Sequence, residues 1–287
     1  MITTTLFGGL GTQMFIYAMT RALSLRNHVP MAFNLTSGFD TDFQYKRHLE
    51  LKHLNASLPT STISTFDYPG GRYVKKLSSY MKRNVMLPTM DYIEEATPYH
   101  FQQEFVLEKI KNVYLNGYWQ SPLYFEDYSD VIRSEFKITA PIPQKVNEEL
   151  AYLKSYSRPL VMVGIRRYQE VKHSSFLTEH VCGAEFYRKA MDMMSNMIEN
   201  PLFVVFSQDQ NWVKENISKE FDIYIVKEKS GDLASVSDMF LMQHCDAAII
   251  SNSTFYWWGA WLANCERVIS THNFINKDTN CKEWIII

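Results

Sequence analysis

Length, composition and charge exclude several classes of protein. The chain has 287 residues, of which 46% are hydrophobic and 21% charged, as in an ordinary soluble globular protein. Its formal net charge of −2 argues against a nucleic-acid-binding protein, which would carry a basic excess. No apolar run approaches the ~20 residues of a membrane span, and the N-terminus has neither the basic region nor the apolar core of a secretory signal.

The cysteines point to a reducing compartment. They show no C-x-x-C spacing, which argues against a zinc site. The four residues are Cys182, Cys245, Cys265 and Cys281. We expect reduced, mostly buried thiols in a cytoplasmic protein.

The chain opens with a predicted β-α-β unit. A strand at Ile2–Leu6 leads into the glycine-rich turn Gly8–Gly11, a helix over residues 12–25 and a second strand at Val29–Asn34. Such a turn lets a backbone approach a ligand closely, but its spacing is neither that of a P-loop nor G-x-G-x-x-G. A phosphate-binding turn and a tight structural turn both remain open on this evidence.

The middle of the chain is less regular. From Ser37 to about Tyr124 the sequence is mixed, aromatic and interrupted by prolines, and we interpret it as helical and loop material. A charged helical segment follows between the proline-containing stretches Ala140–Pro143 and Tyr156–Pro159. We place a boundary near residues 150–158, which gives an N-terminal domain of residues 1–155 and a C-terminal domain of residues 156–287.

The second half alternates strands with helices. Each predicted strand is a short, continuous apolar run. The strands are Leu160–Ile165, Leu202–Phe206, Ile223–Val226, Ala247–Ile250 and Val268–Ser270. The helices are predicted over Phe186–Met197, Asn211–Lys219, Leu233–His244 and Phe255–Ala263. This alternation is typical of a parallel sheet covered on both faces, and therefore of an α/β fold.

Polar side chains follow three of these strands. Arg166 and Arg167 follow the first, Ser207–Asp209 the second and Ser251–Thr254 the fourth. Ligands bind at the carboxyl ends of parallel strands, and a helix N-terminus can hold an anion on its exposed N–H groups. Adjacent arginines leaving a strand point in opposite directions, so we expect one to bind phosphate and the other to brace the loop. The alternatives are a capped tryptophan-rich core helix and a pair of surface or ion-paired arginines.

Four segments resemble motifs of the bacterial α-1,2-fucosyltransferases, glycosyltransferase family 11. G-G-L-G-T-Q-M-F-I-Y-A at residues 8–18 resembles G-G-L-G-N-Q-M-F-Q-Y-A, and Ile165-Arg166-Arg167 resembles the core of H-x-R-R-x-D. Residues 238–242 and 251–262 are similar to D-M-x-L-M and S-N-S-S-F-S-W-W-G-A-W-L. The motifs occur in the expected order and span nearly the whole chain.

The resemblance implies a GT-B-like α/β fold with two Rossmann-like domains facing each other across a cleft. It implies an inverting, metal-independent enzyme without a cofactor, which transfers L-fucose from GDP-β-L-fucose to the 2-hydroxyl of a terminal galactose in surface glycans such as O-antigen. The lack of an Asp-x-Asp pair at a strand end agrees with metal independence. The alternatives are a GDP-fucose-dependent transferase of other linkage or acceptor, and a non-catalytic glycan- or nucleotide-sugar-binding protein.

The resemblance also assigns site residues. Arg167 is expected to contact the β-phosphate and to act in catalysis. The residues expected to bind the donor are Gly9, Gly11, Thr12, Gln13, Arg166, Asp209, Asp238, Ser251, Asn252, Ser253 and Thr254. For either aspartate, capping of the following helix is the alternative. Candidates for acceptor binding are Tyr118, Trp119, Gln120 and His173.

Three departures from the family motifs change side chains that could take part in the chemistry. Gly164 stands where the second motif has His, Gln169 where it has Asp, and Thr12 where the first motif has Asn. Because the Asp position carries no carboxylate, we take Glu170, the nearest acid, as the candidate general base and His173 as its rival. A phosphate oxygen of the leaving group is a further alternative.

The expected partners are small molecules and glycans. They are GDP-fucose and a galactose-terminated oligosaccharide, with no nucleic acid. We expect a cytoplasmic protein with at most peripheral contact with the inner membrane. Basic residues that could touch an anionic leaflet, or form a solvated helix face, are Lys75, Lys76, Lys82 and Arg83. In the aromatic helix Trp257 and Trp261 share a face, and we expect them to pack the helix against the sheet.

Overall fold

The computed structural model describes residues 1–40, 42–63, 90–97, 99–168, 174–217 and 221–287. Several predictions lie outside these residues: the general base Glu170, its rival His173, Gln169 and the basic residues Lys75, Lys76, Lys82 and Arg83. The chain forms two compact units, Met1–Lys137 and Ile138–Ile287. In the described ranges, no helix is both long enough and apolar enough to cross a membrane.

The first unit contains a parallel four-stranded sheet in the order β2-β1-β4-β3. Its elements are β1 (Ile2–Thr5), α1 (Leu10–Asn27), β2 (Met31–Asn34), α2 (Ser37–Asp40), β3 (Asp91–Glu94), α3 (Glu104–Leu107), β4 (Val113–Asn116) and α4 (Ser129–Glu135). Among the residues of this unit that the structure describes, short 3-10 helices lie at Leu51–His53, Pro122–Tyr124 and Glu126–Tyr128. The opening β-α-β unit is therefore confirmed, with β1 and β2 paired from Ile2 opposite Met31.

Two strands of this sheet correct the prediction of helical and loop material over residues 37–124. β4 supplies a central strand that pairs with both β1 and β3. β3 has the sequence Asp-Tyr-Ile-Glu and an exposed-to-intermediate pattern of burial, as suits its place at the edge of the sheet. It was missed because such a strand carries no continuous apolar run.

The second unit contains a parallel six-stranded sheet in the order β10-β9-β8-β5-β6-β7. Its first elements are α5 (Gln144–Ser155), β5 (Leu160–Ile165), α6 (Ser174–His180), α7 (Ala184–Met197), β6 (Leu202–Ser207) and α8 (Gln210–Asn216). They are followed by β7 (Ile223–Ile225), α9 (Ala234–Met242), β8 (Ala247–Ile250), α10 (Thr254–Ala263), β9 (Arg267–Ser270) and β10 (Ile285–Ile286). The five predicted strands of this half are confirmed.

Helices cover both faces of β5, as the continuous apolar strands predicted. Val161, Val163 and Ile165 belong to a core that includes Tyr187 and Met191 of α7. On the other face, Gly164 lies against Tyr256 and Met162 lies near Gly259, both in α10. The three tryptophans of α10 are buried, and Trp257 and Trp261 stack with their ring centroids 6.0 Å apart. The four cysteines of this unit are free thiols, three of them buried.

Helix α5 belongs to the second unit, whereas the sequence analysis assigned residues 138–155 to the N-terminal domain. The reason lies in Glu149, which is buried on α5. Its Oε1 accepts hydrogen bonds from the Tyr224 hydroxyl at 3.0 Å and from the Lys227 backbone at 2.9 Å. These contacts to the segment that contains β7 fix α5 to the second unit.

Candidate functional site

The N-terminus of α10 lies at the carboxyl edge of the second sheet, directly after β8. Ser253 is the N-cap residue, with extended backbone angles, and its side chain makes no capping hydrogen bond. The first intrahelical bond runs from Trp257 N to Ser253 O at 2.9 Å. The preceding N–H groups therefore have no acceptor within the helix. Together with the positive end of the helix dipole, they form a surface that favours an anion.

Ser251 and Asn252 fix the loop that precedes this helix. The Ser251 hydroxyl donates to Gly164 O at 2.9 Å and accepts from Arg166 N at 3.1 Å. The Asn252 side-chain nitrogen donates to His180 O at 3.4 Å, and the backbone carbonyl of Asn252 accepts from the Tyr168 hydroxyl at 2.6 Å. Because these polar groups are engaged, the side chains that the loop presents to a ligand are those of Ser253 and Thr254.

The two arginines after β5 have different partners, as predicted. Arg166 donates to Gln208 Oε1 at 2.5 Å, and its guanidinium lies 4.4 Å from the ring centroid of Tyr168. Arg167 donates to Cys182 O at 3.1 Å and lies 4.3 Å from the ring of Trp212 in α8. Among the described residues, Arg167 makes no ion pair with a carboxylate. Its guanidinium is thus oriented by a ring and a carbonyl.

The turn after the arginines is held in an uncommon conformation. Tyr168 has a φ of 50°, in the left-handed region that bulky residues rarely adopt. Its ring lies under Arg166 and its hydroxyl donates to Asn252 O. These contacts hold the turn against the start of α10 and offset the backbone strain.

The two candidate aspartates already have structural partners. Asp209 is the N-cap residue of α8 and accepts from Trp212 N at 3.0 Å, which confirms the capping alternative. Asp238 pairs with Lys229 at 3.0 Å, and Lys229 also pairs with Glu149 at 3.2 Å. Burial raises the pKa of Asp238, although the Lys229 ammonium acts in the opposite direction. Asp209 therefore orients the tryptophan beneath Arg167, and Asp238 anchors α9.

In the first unit, the glycine-rich turn leads into α1 as predicted, with Gly8 at a φ of 72° and Gly9 as the N-cap residue. The carboxylate of Glu50 occupies this helix end, because its Oε2 accepts from Leu10 N at 3.0 Å. Glu50 is buried. A negative charge supplied by the protein thus lies where a phosphate would bind in a dinucleotide-binding turn. Gly11 and Thr12 belong to the first turn of α1.

Gln13 locks the same turn through its fully buried side chain. Its amide nitrogen donates to Gly8 O and His48 O, both at 2.8 Å. Its amide oxygen accepts from Glu50 N at 2.9 Å and Leu51 N at 3.3 Å. Since an amide group can make four hydrogen bonds, this one has no capacity left for a ligand. Gln13 therefore acts on the turn rather than on a bound molecule.

Glu95 organises the turn after β4 in the first unit. Its Oε2 accepts from Tyr118 N at 2.6 Å and from Trp119 N at 3.2 Å. A Cβ atom at Gly117 would lie 2.5 Å from the Cβ of Glu95, so only glycine fits there. Trp119 has a left-handed φ of 53°. Burial raises the pKa of Glu95, whose Oε1 lacks a hydrogen-bond partner among the described residues.

This arrangement separates the three acceptor candidates of the turn. The Trp119 ring is fully buried between Phe105 and Tyr124, at centroid distances of 5.2 and 5.9 Å. Tyr118 has 41% of its surface exposed. Gln120 is half-buried. Trp119 therefore supports the turn from the core, and Tyr118 is the aromatic side chain that it presents to solvent.

The sequence analysis missed Glu50 and Glu95 as organising residues. Each is a single acid in an irregular segment, and its partners lie 40 and 23 residues away in the chain. No local pattern marks such a residue. No group of three or more metal-binding side chains lies together in the portion of the chain that is described.

Comparisons with known proteins were made at the levels of family, sequence and fold. The profile of glycosyl transferase family 11 matches residues 72–287. The O-antigen biosynthesis glycosyltransferase WbnK of Escherichia coli is 29% identical over 277 residues, which cover 91% of this chain and 90% of the relative. An alpha-1,2-colitosyltransferase of the same species is 26% identical, covering 92% of this chain and 88% of the relative. Galactoside alpha-(1,2)-fucosyltransferase 1 of Bos taurus is 29% identical over 160 residues, which cover 54% of this chain and 44% of the relative.

The fold comparison reaches a solved plant structure. An arginine-to-lysine variant of Arabidopsis thaliana FUT1 in complex with GDP superposes with a TM-score of 0.51 and 13% identity, covering 92% of this chain and 68% of that one. This likeness confirms the predicted GT-B-like α/β fold. The predicted family is confirmed by the profile match, which spans most of the sequence. The chain is a member of glycosyl transferase family 11.

Proposed function

We propose that this protein is an inverting galactoside α-1,2-fucosyltransferase, which moves L-fucose from GDP-β-L-fucose to the 2-hydroxyl of a terminal galactose. The observation that carries the proposal is the N-terminus of α10, whose first N–H groups have no acceptor within the helix and which lies beside an arginine pair at the carboxyl edge of the second sheet. The names of the Escherichia coli and Bos taurus relatives support the linkage and the acceptor sugar.

The second unit binds the diphosphate of the donor in this proposal. The first N–H groups of α10 and the hydroxyls of Ser253 and Thr254 donate to phosphate oxygens, and Arg167 forks the β-phosphate. The remaining N–H groups of Arg167 suit this role because one nitrogen is already held by Cys182 O. Negative charge grows on GDP as the bond to fucose breaks. Fixed donors at that position stabilise the transition state more than the ground state, without a metal or cofactor.

The proton of the galactose hydroxyl requires an acceptor. We assign this role to Glu170, one position after the motif's Asp position, with His173 as the rival and a phosphate oxygen of the departing GDP as a third acceptor. Asp209 and Asp238 are left to their structural partners, the N-terminus of α8 and Lys229, rather than to the base or ribose of the donor.

The acceptor side of the reaction is assigned to Tyr118 and Gln120 of the first unit. A half-exposed aromatic ring on a rigid turn is suited to stack on a sugar face. Glu95 and the buried Trp119 hold that turn. The name of the relative WbnK supports O-antigen as the glycan, and we propose that the protein acts in the cytoplasm.

Colitose transfer is the second candidate, because a colitosyltransferase matches over most of both chains. Colitose is L-fucose without its 3-hydroxyl, so the two donors share the diphosphate site and differ in one sugar contact. The third alternative is a protein that binds the nucleotide sugar without transferring it.

The test is release of GDP from GDP-fucose and from GDP-colitose, in the presence of EDTA, with lactose, N-acetyllactosamine and lacto-N-biose as acceptors. Release from GDP-fucose that depends on acceptor is the expected result, and linkage analysis should give an α-1,2 product. Faster release from GDP-colitose would favour the second candidate. Donor binding without release to any acceptor would favour the non-catalytic alternative, and absence of binding would refute all three.

A further inference from the structure

The ring of Tyr256 lies directly on Gly164, one strand residue before the end of β5. A Cβ atom at position 164 would lie 2.3 Å from Cγ and 2.5 Å from Cδ2 of this ring. No real Cβ contact is that short, and Tyr256 is itself buried between α10 and the sheet. Any side chain at position 164 therefore requires Tyr256 to move, and the two residues occupy one shared volume.

The hydroxyl of Tyr256 reaches the ends of two neighbouring strands. It donates to Phe206 O of β6 at 3.0 Å and lies 3.4 Å from Ile165 O of β5. Gly164 and Phe206 are directly paired in the sheet. One residue later, β5 continues into Arg166 and Arg167. The hydroxyl therefore links the end of β5, which is followed by the arginine pair, to the end of β6, which is followed by the segment preceding α8.

Ser251 completes this attachment from the other side. Its hydroxyl bonds Gly164 O and Arg166 N, so the backbone from residue 164 to residue 166 is held by two side chains from the loop and first turn of α10. The charged groups that face Tyr256 are Arg166 and Asp238. The strand end is therefore positioned by the same helix whose N-terminus forms the anion site.

Two departures from the family motifs meet at this contact. The second motif has His at the position of Gly164. The last motif has Ser at its sixth position, where this chain has Tyr256. A large residue in the strand and a small one in the helix have been exchanged for a small one in the strand and a large one in the helix. The exchange keeps the volume between β5 and α10 filled.

We propose that Gly164 and Tyr256 form one exchangeable unit, and that Tyr256 is a positioning residue which sets the strand end bearing Arg166 and Arg167. Tyr256 does not touch the donor, because its hydroxyl is directed at backbone carbonyls. It acts through the arginines, and so on donor affinity rather than on acceptor affinity. This assignment rests on the proposed donor site.

The test is a double-mutant cycle with Gly164→His, Tyr256→Ser and the double variant, read out by thermal unfolding and by GDP binding. Gly164→His alone should be strongly destabilised, since the histidine overlaps the tyrosine ring. The double variant should be more stable than Gly164→His and should bind GDP more tightly than either single variant. If the effects of the two single substitutions on thermal unfolding simply added in the double variant, the claim that positions 164 and 256 share one volume would be refuted.

Tyr256→Phe keeps the ring and tests the hydroxyl in a protein that folds. We expect the Kd for GDP and the KM for the donor to rise about threefold to tenfold, with the KM for the acceptor unchanged. Tyr152→Phe, which removes a hydroxyl on the exposed face of α5, is the matched control and should leave both values as in the wild type. Normal GDP affinity in Tyr256→Phe would overturn the positioning role.

The two proposals fail in different ways. If the wild-type protein binds no GDP, the proposed donor site is wrong and the positioning role falls with it. The thermal cycle does not use GDP and still decides whether Gly164 and Tyr256 share one volume. If the wild type binds GDP but the cycle is additive, only the inference about this pair is refuted.

Discussion

Helices α1 and α10 both begin after a strand and a turn of small residues, but their N-termini are occupied differently. At α1 the Glu50 carboxylate accepts the first N–H bond. At α10 the N-cap residue Ser253 makes no such side-chain bond. Both helix ends favour negative charge. At α1 the protein itself supplies the acceptor, the Glu50 carboxylate, whereas for α10 we propose that a bound diphosphate supplies it.

The comparison shows that a glycine-rich turn before a helix is not sufficient evidence for a phosphate site. Gln13 and Glu50 together satisfy the turn before α1 and hold it rigid. A second anion at that helix end would meet the Glu50 charge. The tests below separate the two ends by what they should change: stability at α1 and ligand affinity at α10.

Replacement of Gln13 should have the largest effect. Gln13→Ala leaves two carbonyls and two N–H groups buried without partners, and we expect the free energy of unfolding to fall by about 3–5 kcal/mol. Urea denaturation measures this change. The control is Gln144→Ala, at an exposed glutamine of α5, which should stay within about 0.5 kcal/mol of wild type. Equal stability of the two variants would show that the turn is not locked by this side chain.

Arg167→Lys should weaken GDP binding by about 30-fold to 100-fold, or about 2–3 kcal/mol, because an ammonium cannot reproduce the guanidinium fork. Isothermal titration calorimetry measures the affinity. Arg188→Lys changes a more exposed arginine of α7 that donates to Asn216 O, and should bind GDP as the wild type does. Near-normal GDP affinity and turnover in Arg167→Lys would remove this residue from the phosphate site.

Ser253→Ala and Ser251→Ala should affect different properties. Ser253 makes no capping bond, so we expect its loss to weaken GDP binding about threefold to tenfold with little change in Tm. Ser251 makes two buried bonds, so we expect its loss to lower the free energy of unfolding by about 1–3 kcal/mol. Thermal unfolding with and without GDP distinguishes the variants. A lowered Tm for Ser253→Ala without GDP would indicate a structural cap instead.

The smallest expected effect concerns Glu95, a buried carboxyl group that lies in the turn after β4 rather than at a helix N-terminus. Burial raises the pKa of Glu95 above its usual value, so the folded protein holds this proton more tightly than the unfolded chain does. Its contribution to stability is therefore fully present below the unfolded pKa and is lost as pH rises through the folded pKa. Glu95→Gln should therefore gain stability relative to wild type as the pH rises from the unfolded pKa through the folded pKa of Glu95. Urea denaturation at a series of pH values measures the free energy of unfolding of both proteins. A difference between them that did not change with pH would contradict this expectation.

Much of the second unit follows from its sequence. β5 and β8 have the predicted limits because each is a continuous apolar run that is buried along its whole length. The placement of Arg166, Arg167 and Ser251–Thr254 follows, since the ends of parallel strands lie along one edge. The two arginines have different partners, as expected from the alternation of side chains along a strand.

The organisation of the first unit does not follow from local sequence. The role of Gln13 depends on groups 35 to 38 residues away, and that of Glu50 on a backbone N–H 40 residues away. Hydrogen bonds of this kind have no periodicity that a sequence could show. The same holds for Gly164, whose lack of a side chain is explained by Tyr256, far along the chain.

The parallel topology has a consequence for synthesis on the ribosome. β1 lies between β2 and β4, and Thr4 on β1 bonds Leu115 on β4, 111 residues later. At a rate of synthesis of ~5–20 residues per second, β4 is made on the order of ten seconds after β1, and until then the edge of β1 that pairs with β4 is exposed. An apolar strand exposed for that time invites aggregation, but three of the four residues of β1 are threonine. The threonine hydroxyls lower the tendency of the nascent chain to aggregate, and the β-branched side chains still favour a strand.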